Sequence, residues 1–172
     1  MSDDARQLML LRHAKAEHTI GVGDHERRLI ARGRRDAAEV GAWLLAHKLE
    51  PELVICSTAI RTRQTWDAID HVGVAATEVE YARGVYSAGA AGVLNLIHEA
   101  DPAVRSILVV GHEPTMSILA ERLSEGRGDA EALAELEAGF PTSGIAVLRY
   151  AGQWADVDAG GASLEHFFVG RG

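Results

Sequence analysis

The sequence predicts an α/β domain: a three-layer sandwich with a mostly parallel central sheet of about six strands and helices on both faces. Three observations predict it. Short, wholly apolar runs at 8–11 (LMLL) and 107–110 (ILVV) look like strands buried on both faces in the middle of a parallel sheet. Segments with helical apolar spacing alternate with such runs, the order that lays helices over both faces of a sheet. Both runs end at a histidine, through Arg12-His13 and Gly111-His112. In open α/β sheets chemistry sits beyond the carboxyl ends of the strands. The two histidines face each other across the sheet top if the two strands are neighbours.

The first strand leads into residues 14–28, rich in charged and small residues with Gly21 and Gly23, which read as a loop. Lys15, Glu17 and His18 either border a site or are plain solvated loop residues. Residues 31–48 form the first helix, with Ala37, Val40, Gly41, Leu44 and Leu45 on one face, and Pro51 stops any continuation. Arg27, Arg28, Arg32, Arg34 and Arg35 read as a solvated face rather than a substrate patch. A second strand, 53–56, runs into Ser57 and a helix at 60–70 that turns Trp66 and Ile69 inward. The start of that helix offers free N–H groups and a positive dipole end, which suit a phosphate.

Residues 76–80 read as the third strand, 81–87 as a loop, and 88–100 as a helix with the stripe Val93, Leu94, Ile97. The strand at 104–110 exits through Gly111. Pro114 suits the first turn of the next helix, which carries Met116, Leu119 and Leu123 inward. A polar break at 124–128 precedes a short acidic helix at 129–138. Residues 142–150 form another strand, and 153–156 and 164–169 read as late antiparallel strands around a glycine-rich turn at 159–162. The terminal Gly-Arg-Gly is expected to fray. No repeat or linker divides the chain, so 1–172 is expected to be a single domain.

Composition narrows the function. The 172 residues are 47% hydrophobic and 24% charged, as in ordinary globular proteins. A formal net charge of −8 argues against nucleic acid or an anionic membrane as partner. A phosphate site in such a chain must gather positive charge locally, and Arg12 and Arg61 are placed to do so. Cys56 is the one cysteine, so no internal disulfide forms. The start MSDDARQ is polar and acidic, and no apolar run approaches the roughly 18 residues of a membrane span. A cytoplasmic protein is expected.

Arg12-His13-Ala14, the stretch CSTAIRTRQT at 56–65 and VGHEPT at 110–115 together resemble the histidine phosphatase superfamily, which includes phosphoglycerate mutases and acid phosphatases. The compact length, the RHAKAE start and the GHEP ending are most similar to its SixA-type phosphohistidine phosphatase branch. The resemblance covers nearly the whole chain and implies a phosphoglycerate mutase-like fold. It also implies catalytic roles: His13 as nucleophile forming a phosphohistidine intermediate, Arg12 and Arg61 as phosphoryl-binding donors, and His112 as a donor to the phosphoryl oxygens. Ser57 and Glu113 complete the implied substrate-binding set. Taken without the resemblance, Ser57 reads as a helix cap and Arg61 as a surface ion pair.

No metal or cofactor is expected, because the eight histidines form no HExxH or closely spaced ligand pair. His18, His25, His47, His71 and His98 read as surface residues, and His166 has no assigned role. One departure from the family stands out. Many members carry a proton-donating acid after the third strand, as L-x-E; here the stretch reads YARGVYSAG and Gly84 stands in its place. Glu80 is the remaining candidate general acid. A weakened acid suits a phosphoamidate, whose leaving imidazole is protonated beforehand, better than an alkyl ester. Three readings follow: a phosphatase acting on protein phosphohistidine, a small-metabolite phosphomonoesterase of the same mechanism, or a non-catalytic phosphate- or phosphoprotein-binding module.

Overall fold

Strand follows helix along most of the chain: β1 (Arg6–Arg12), α1 (Ala31–Ala46), β2 (Leu53–Ser57), α2 (Ile60–His71), β3 (Glu78–Ala82), α3 (Arg83–Ser87), α4 (Gly89–His98), β4 (Ser106–Gly111), α5 (Thr115–Ser124), α6 (Ala130–Ala138), β5 (Gly144–Tyr150) and β6 (Ala162–Val169). The structure is a computed structural model that describes residues 5–172; residues 1–4, the start of the polar stretch noted above, lie outside the described residues. The six strands form one sheet in the order β3-β2-β4-β1-β5-β6. The first four are mutually parallel, and β5 and β6 run antiparallel at one side. This is the predicted three-layer α/β architecture.

The alternation of strand side chains explains the layers. Leu8 and Leu10 of β1 pack with Val93 and Ile97 of α4 and Leu119 of α5, whereas Met9 and Leu11 pack with Val40 and Leu44 of α1 and Trp66 and Ile69 of α2. All four β1 residues are buried, so the LMLL run is apolar on both faces because both faces are covered.

Several expectations need correction. Residues 81–87 are not a loop: Tyr81 and Ala82 finish β3 and α3 follows, a single turn that seats Val85 in the core. The 153–156 segment is not a strand but a 3-10 turn at Trp154–Asp156. Burial of the Trp154 ring forces it, with the indole N–H donating to the Val104 carbonyl at 2.7 Å. Helix α1 ends at Ala46, before Pro51 has any say, as Lys48 turns left-handed at φ 55°. The terminal residues are not frayed. Gly170 N–H donates to the Ser143 carbonyl at 3.0 Å, and Gly172 N–H donates to Asp36 Oδ1 at 2.9 Å. Arg171 lies 3.6 Å from the same buried carboxylate. Among the described residues no helix is long and apolar enough to cross a membrane.

Asp36 is thus a buried carboxylate partnered by Arg32 of its own helix and by the chain end. Asp36→Ala is expected to lower unfolding free energy by about 1–3 kcal/mol, because it removes the charge-assisted bond to the Gly172 N–H and the pairing with Arg171 and Arg32. Urea melts read this directly, and an unchanged midpoint would show that the clamp contributes nothing.

Candidate active site

Register places the two histidines. Arg12 pairs with Gly111 across the parallel β1–β4 ladder, and His13 N–H donates to the Gly111 carbonyl at 3.0 Å. The next residues along, His13 and His112, leave the sheet side by side, with ring centroids 5.4 Å apart and 56° between planes. Strand β2 flanks β4 on its other side, so Ser57 at its end reaches His112: Oγ lies 2.8 Å from Nε2. Arg61, second residue of α2, brings Nη2 to 3.2 Å from His112 Nδ1. Arg12, His13, Arg61, His112 and Glu113 line one cavity of about 330 Å³, together with Lys15, His18 and Arg27.

Hydrogen bonding assigns the tautomers. His13 Nδ1 lies 2.7 Å from the Ala14 carbonyl. A carbonyl only accepts, so Nδ1 carries the proton and Nε2 keeps its lone pair. Burial pushes the His13 imidazole down to about 3, with the cationic Arg61 adding to the shift. Burial and Arg61 likewise push His112 down to about 4. Arg61 donates to His112 Nδ1, so the neutral His112 ring carries its proton on Nε2 and donates to Ser57 Oγ. Ala59 N–H also donates to that oxygen at 3.3 Å, which leaves the Ser57 hydroxyl hydrogen for another acceptor. Arg12 spends Nη1 on the Phe140 carbonyl at 3.0 Å, and the buried Nε of both Arg12 and Arg61 has no protein partner. Both guanidiniums line the same cavity as the two imidazoles, the setting an incoming phosphoryl group needs.

Residues that the sequence did not single out hold these groups. Thr65 Oγ1 accepts from Ala14 N–H at 2.9 Å and donates to the Arg61 carbonyl at 2.7 Å, tying the residue after His13 to α2. Ser143, left-handed at φ 61°, shares its N–H between the Arg12 and His13 carbonyls, each at 3.2 Å. Asp24, in a 3-10 turn at Asp24–Glu26, receives Arg61 on its carbonyl at 2.7 Å and on Oδ2 at 3.1 Å. The Tyr86 hydroxyl donates to Oδ2 at 2.8 Å, and Tyr86 with Arg27 and Arg61 holds the Asp24 carboxyl well below the usual carboxylate range. No local pattern marks these residues, since each acts across a long stretch of chain.

Other expectations meet mixed outcomes. Lys15 and His18 border the cavity; Glu17 does not line it and instead accepts Arg27 Nε on its carbonyl at 2.7 Å. Arg27 is no solvated face residue, since it pairs with Asp24 at 3.0 Å and lines the cavity. His25 is half-buried rather than plainly on the surface, with Nε2 2.9 Å from Thr58 Oγ1 and its ring edge-on to Tyr86. His98 is likewise engaged, Nε2 lying 2.7 Å from the Val157 carbonyl. His166 packs beside Trp43 and His47 away from the cavity.

Glu80 must be set aside as the acid. It is exposed in β3 opposite Ile55, two residues short of the strand end, and does not line the cavity that lies beyond that end. Glu113 does line it, with Oε1 accepting from Ser117 N–H at 2.7 Å in the first turn of α5. Cys56 lies buried under Ser57, its thiol pushed up to about 12 by burial. Among the described residues no group of three or more His, Cys, Asp or Glu is placed to hold a metal ion.

Comparison with known proteins agrees with this geometry. Residues 8–84 match the profile of the Histidine phosphatase superfamily (branch 1). A solved structure from Nakamurella multipartitia, described as a candidate phosphohistidine phosphatase SixA, is 35% identical, covers 96% of each chain and superposes with a TM-score of 0.85. The chain belongs to the histidine phosphatase superfamily. Within it the likeness is to the SixA-type branch. A second candidate SixA, from Agrobacterium tumefaciens, is 33% identical over 95% of this chain and 98% of its own, with a TM-score of 0.76. An uncharacterised protein of Mycobacterium tuberculosis is 46% identical over 162 residues, 94% of this chain and 100% of its own. The histidine phosphatase motifs at 12–14, 56–65 and 110–115 are thus the segments that the fold gathers at one sheet end.

Two histidines held neutral by burial give a direct prediction. In NMR spectra, His13 and His112 are expected to stay neutral from pH 8 to pH 5, with Nδ1 protonated in His13, while an exposed histidine titrates near about 6.5. Because both folded values lie below the unfolded one, the unfolded chain binds more protons as pH falls. Their contribution to stability is therefore complete above about pH 6.5 and is lost progressively below it. Titration of either ring near its ordinary value would overturn the assignment.

Proposed function

We propose that this chain is a phosphatase that passes a phosphoryl group through His13 Nε2, and that its substrate is phosphohistidine on another protein. The observation that carries the reading is the His13 tautomer: Nδ1–H is committed to the Ala14 carbonyl, so an unprotonated Nε2 stands among Arg12, Arg61 and His112. Its lone pair attacks phosphorus, the substrate's P–N bond breaks, and the bonding pair returns to the leaving imidazole nitrogen. A ring already protonated on its other nitrogen leaves as neutral imidazole. Arg12 and Arg61 carry the phosphoryl charge, and preorganised donors of this kind are worth roughly 3–4 kcal/mol each. Water then attacks phospho-His13, the P–N bond to Nε2 breaks, and inorganic phosphate departs.

Two features support phosphohistidine over an alkyl ester. Gly84 stands where the family's acid is found, and Glu80 lies outside the cavity. A phosphoamidate needs no strong acid, because its leaving group arrives protonated. The likeness to two candidate SixA structures points the same way.

The test is phosphate release in excess chelator from a chemically phosphorylated histidine peptide, beside a panel of alkyl monoesters. Fast release from the peptide is expected. Replacing His13 by Ala is expected to cut turnover by at least about a thousandfold while phosphate still binds through the arginines. Turnover undiminished in that variant would sink the mechanism. Preference for a monoester would move the substrate to a small metabolite, and binding without turnover would make the chain a binding module.

A further inference from the structure

The geometry points to the loop tip at residues 18–22 as a docking finger for the substrate protein, fitted to a phosphohistidine set in an acidic, partly apolar surface. The inference rests on the phosphohistidine reading above and adds the surface that presents the phosphoryl group. The loop is anchored at its base. Glu17 N–H donates to the Arg28 carbonyl at 2.9 Å and Ile30 N–H to the Lys15 carbonyl at 3.1 Å, while Ala16 and Leu29 form an antiparallel bridge. Beyond the tip, Arg61 grips Asp24. The tip itself closes on one turn bond, Val22 N–H to the Thr19 carbonyl at 3.3 Å.

The tip carries two exposed apolar side chains, one of them bare. Ile20 is 100% exposed and Val22 37%. A lone exposed apolar residue is ordinary; the position of this pair is not. Lys15 and His18 line the phosphate cavity, and Ile20 stands two residues beyond His18, so its Cα lies within about 7 Å of that of His18. Ile20 does not line the cavity. A small ester filling about 330 Å³ leaves Ile20 untouched, whereas a protein surface presenting a phosphohistidine to His13 spreads beyond the mouth, onto the loop that carries Ile20 close to His18.

Charge selects the partner. The chain carries a net −8, yet Lys15, Arg12, Arg27 and Arg61 meet at this mouth against two carboxylates, Glu113 in the lining and Asp24 at the rim. Acidic residues around the phosphohistidine are drawn to this mouth and repelled elsewhere. An anionic membrane offers similar chemistry, but the overall charge of the chain opposes it.

The experiment compares the wild-type chain with an Ile20→Ser/Val22→Ser variant, whose substitutions lie outside the cavity. Three probes are used: a phosphohistidine peptide flanked by Asp, Glu and Leu, a same-length peptide flanked by Gly and Ser, and para-nitrophenyl phosphate. The wild type is expected to favour the acidic, apolar peptide by about tenfold in kcat/KM, mainly through KM, and the variant to lose that preference. Activity on the aryl phosphate is expected to stay the same in both. Equal rates on the two peptides in the wild type, or an unchanged preference in the variant, would overturn the docking finger while leaving the phosphohistidine reading intact. No release from either peptide, with the aryl phosphate cleaved, would overturn the phosphohistidine reading and the finger with it. Wild-type binding to phosphatidylserine vesicles that the variant loses, or self-association that the variant abolishes, would give the tip to a membrane or to a second copy of the chain.

Discussion

Parallel pairing of β1 with β4 aligns Arg12 with Gly111 and sets His13 beside His112. The pairing is held from both sides, because β1 also pairs with β5, Leu11 opposite Ile145. A slip of one residue would turn Leu8 and Leu10 toward α1 and α2 and swing His13 off the sheet top. The energy that fixes the site is therefore core energy: apolar burial of LMLL on two faces specifies where the His13 imidazole stands. The loops add fine positioning through a few long-range bonds, from Thr65 to Ala14 and from Ser143 to the Arg12 and His13 carbonyls.

Burying two imidazoles among arginines is tolerable because both are neutral. Desolvation falls hardest on charge, so a neutral ring costs far less: both His112 nitrogens are committed, and His13 leaves only the Nε2 lone pair open. The arginines keep their charge, and Asp24 offsets that of Arg61 from the rim. Asp24 is itself spread over Arg27, Arg61 and Tyr86, so it orients Arg61 without entering the cavity. The site thus stays positive toward a phosphoryl group inside a protein that is negative overall.

What was legible in the sequence had a local cause. Strands β1 and β4 stood out because both faces of each are buried, and the histidines because they follow such strands. Arg61 and Ser57 were legible through the resemblance of 56–65 to the family motif, and both residues reach His112. Strand β3 was placed two residues early because its edge position leaves an exposed pattern with weak alternation. Trp154 misled in the opposite way, as an aromatic residue suggests a strand but its indole N–H needed the Val104 carbonyl. Asp24, Tyr86 and Ser143 left no trace, because their partners stand far away in the chain. Arg27 was hidden in a run of arginines whose other members face elsewhere.

Cys56 gives the pocket a chemical temperament. Its sulfur is sealed under Ser57 and held as the thiol, and the side chains that line the cavity bring ring nitrogens and guanidiniums but no sulfur. Peroxide acts on exposed thiolates. A phosphatase working through a cysteine thiolate is silenced by an oxidative burst; this pocket presents no thiolate for the oxidant to reach.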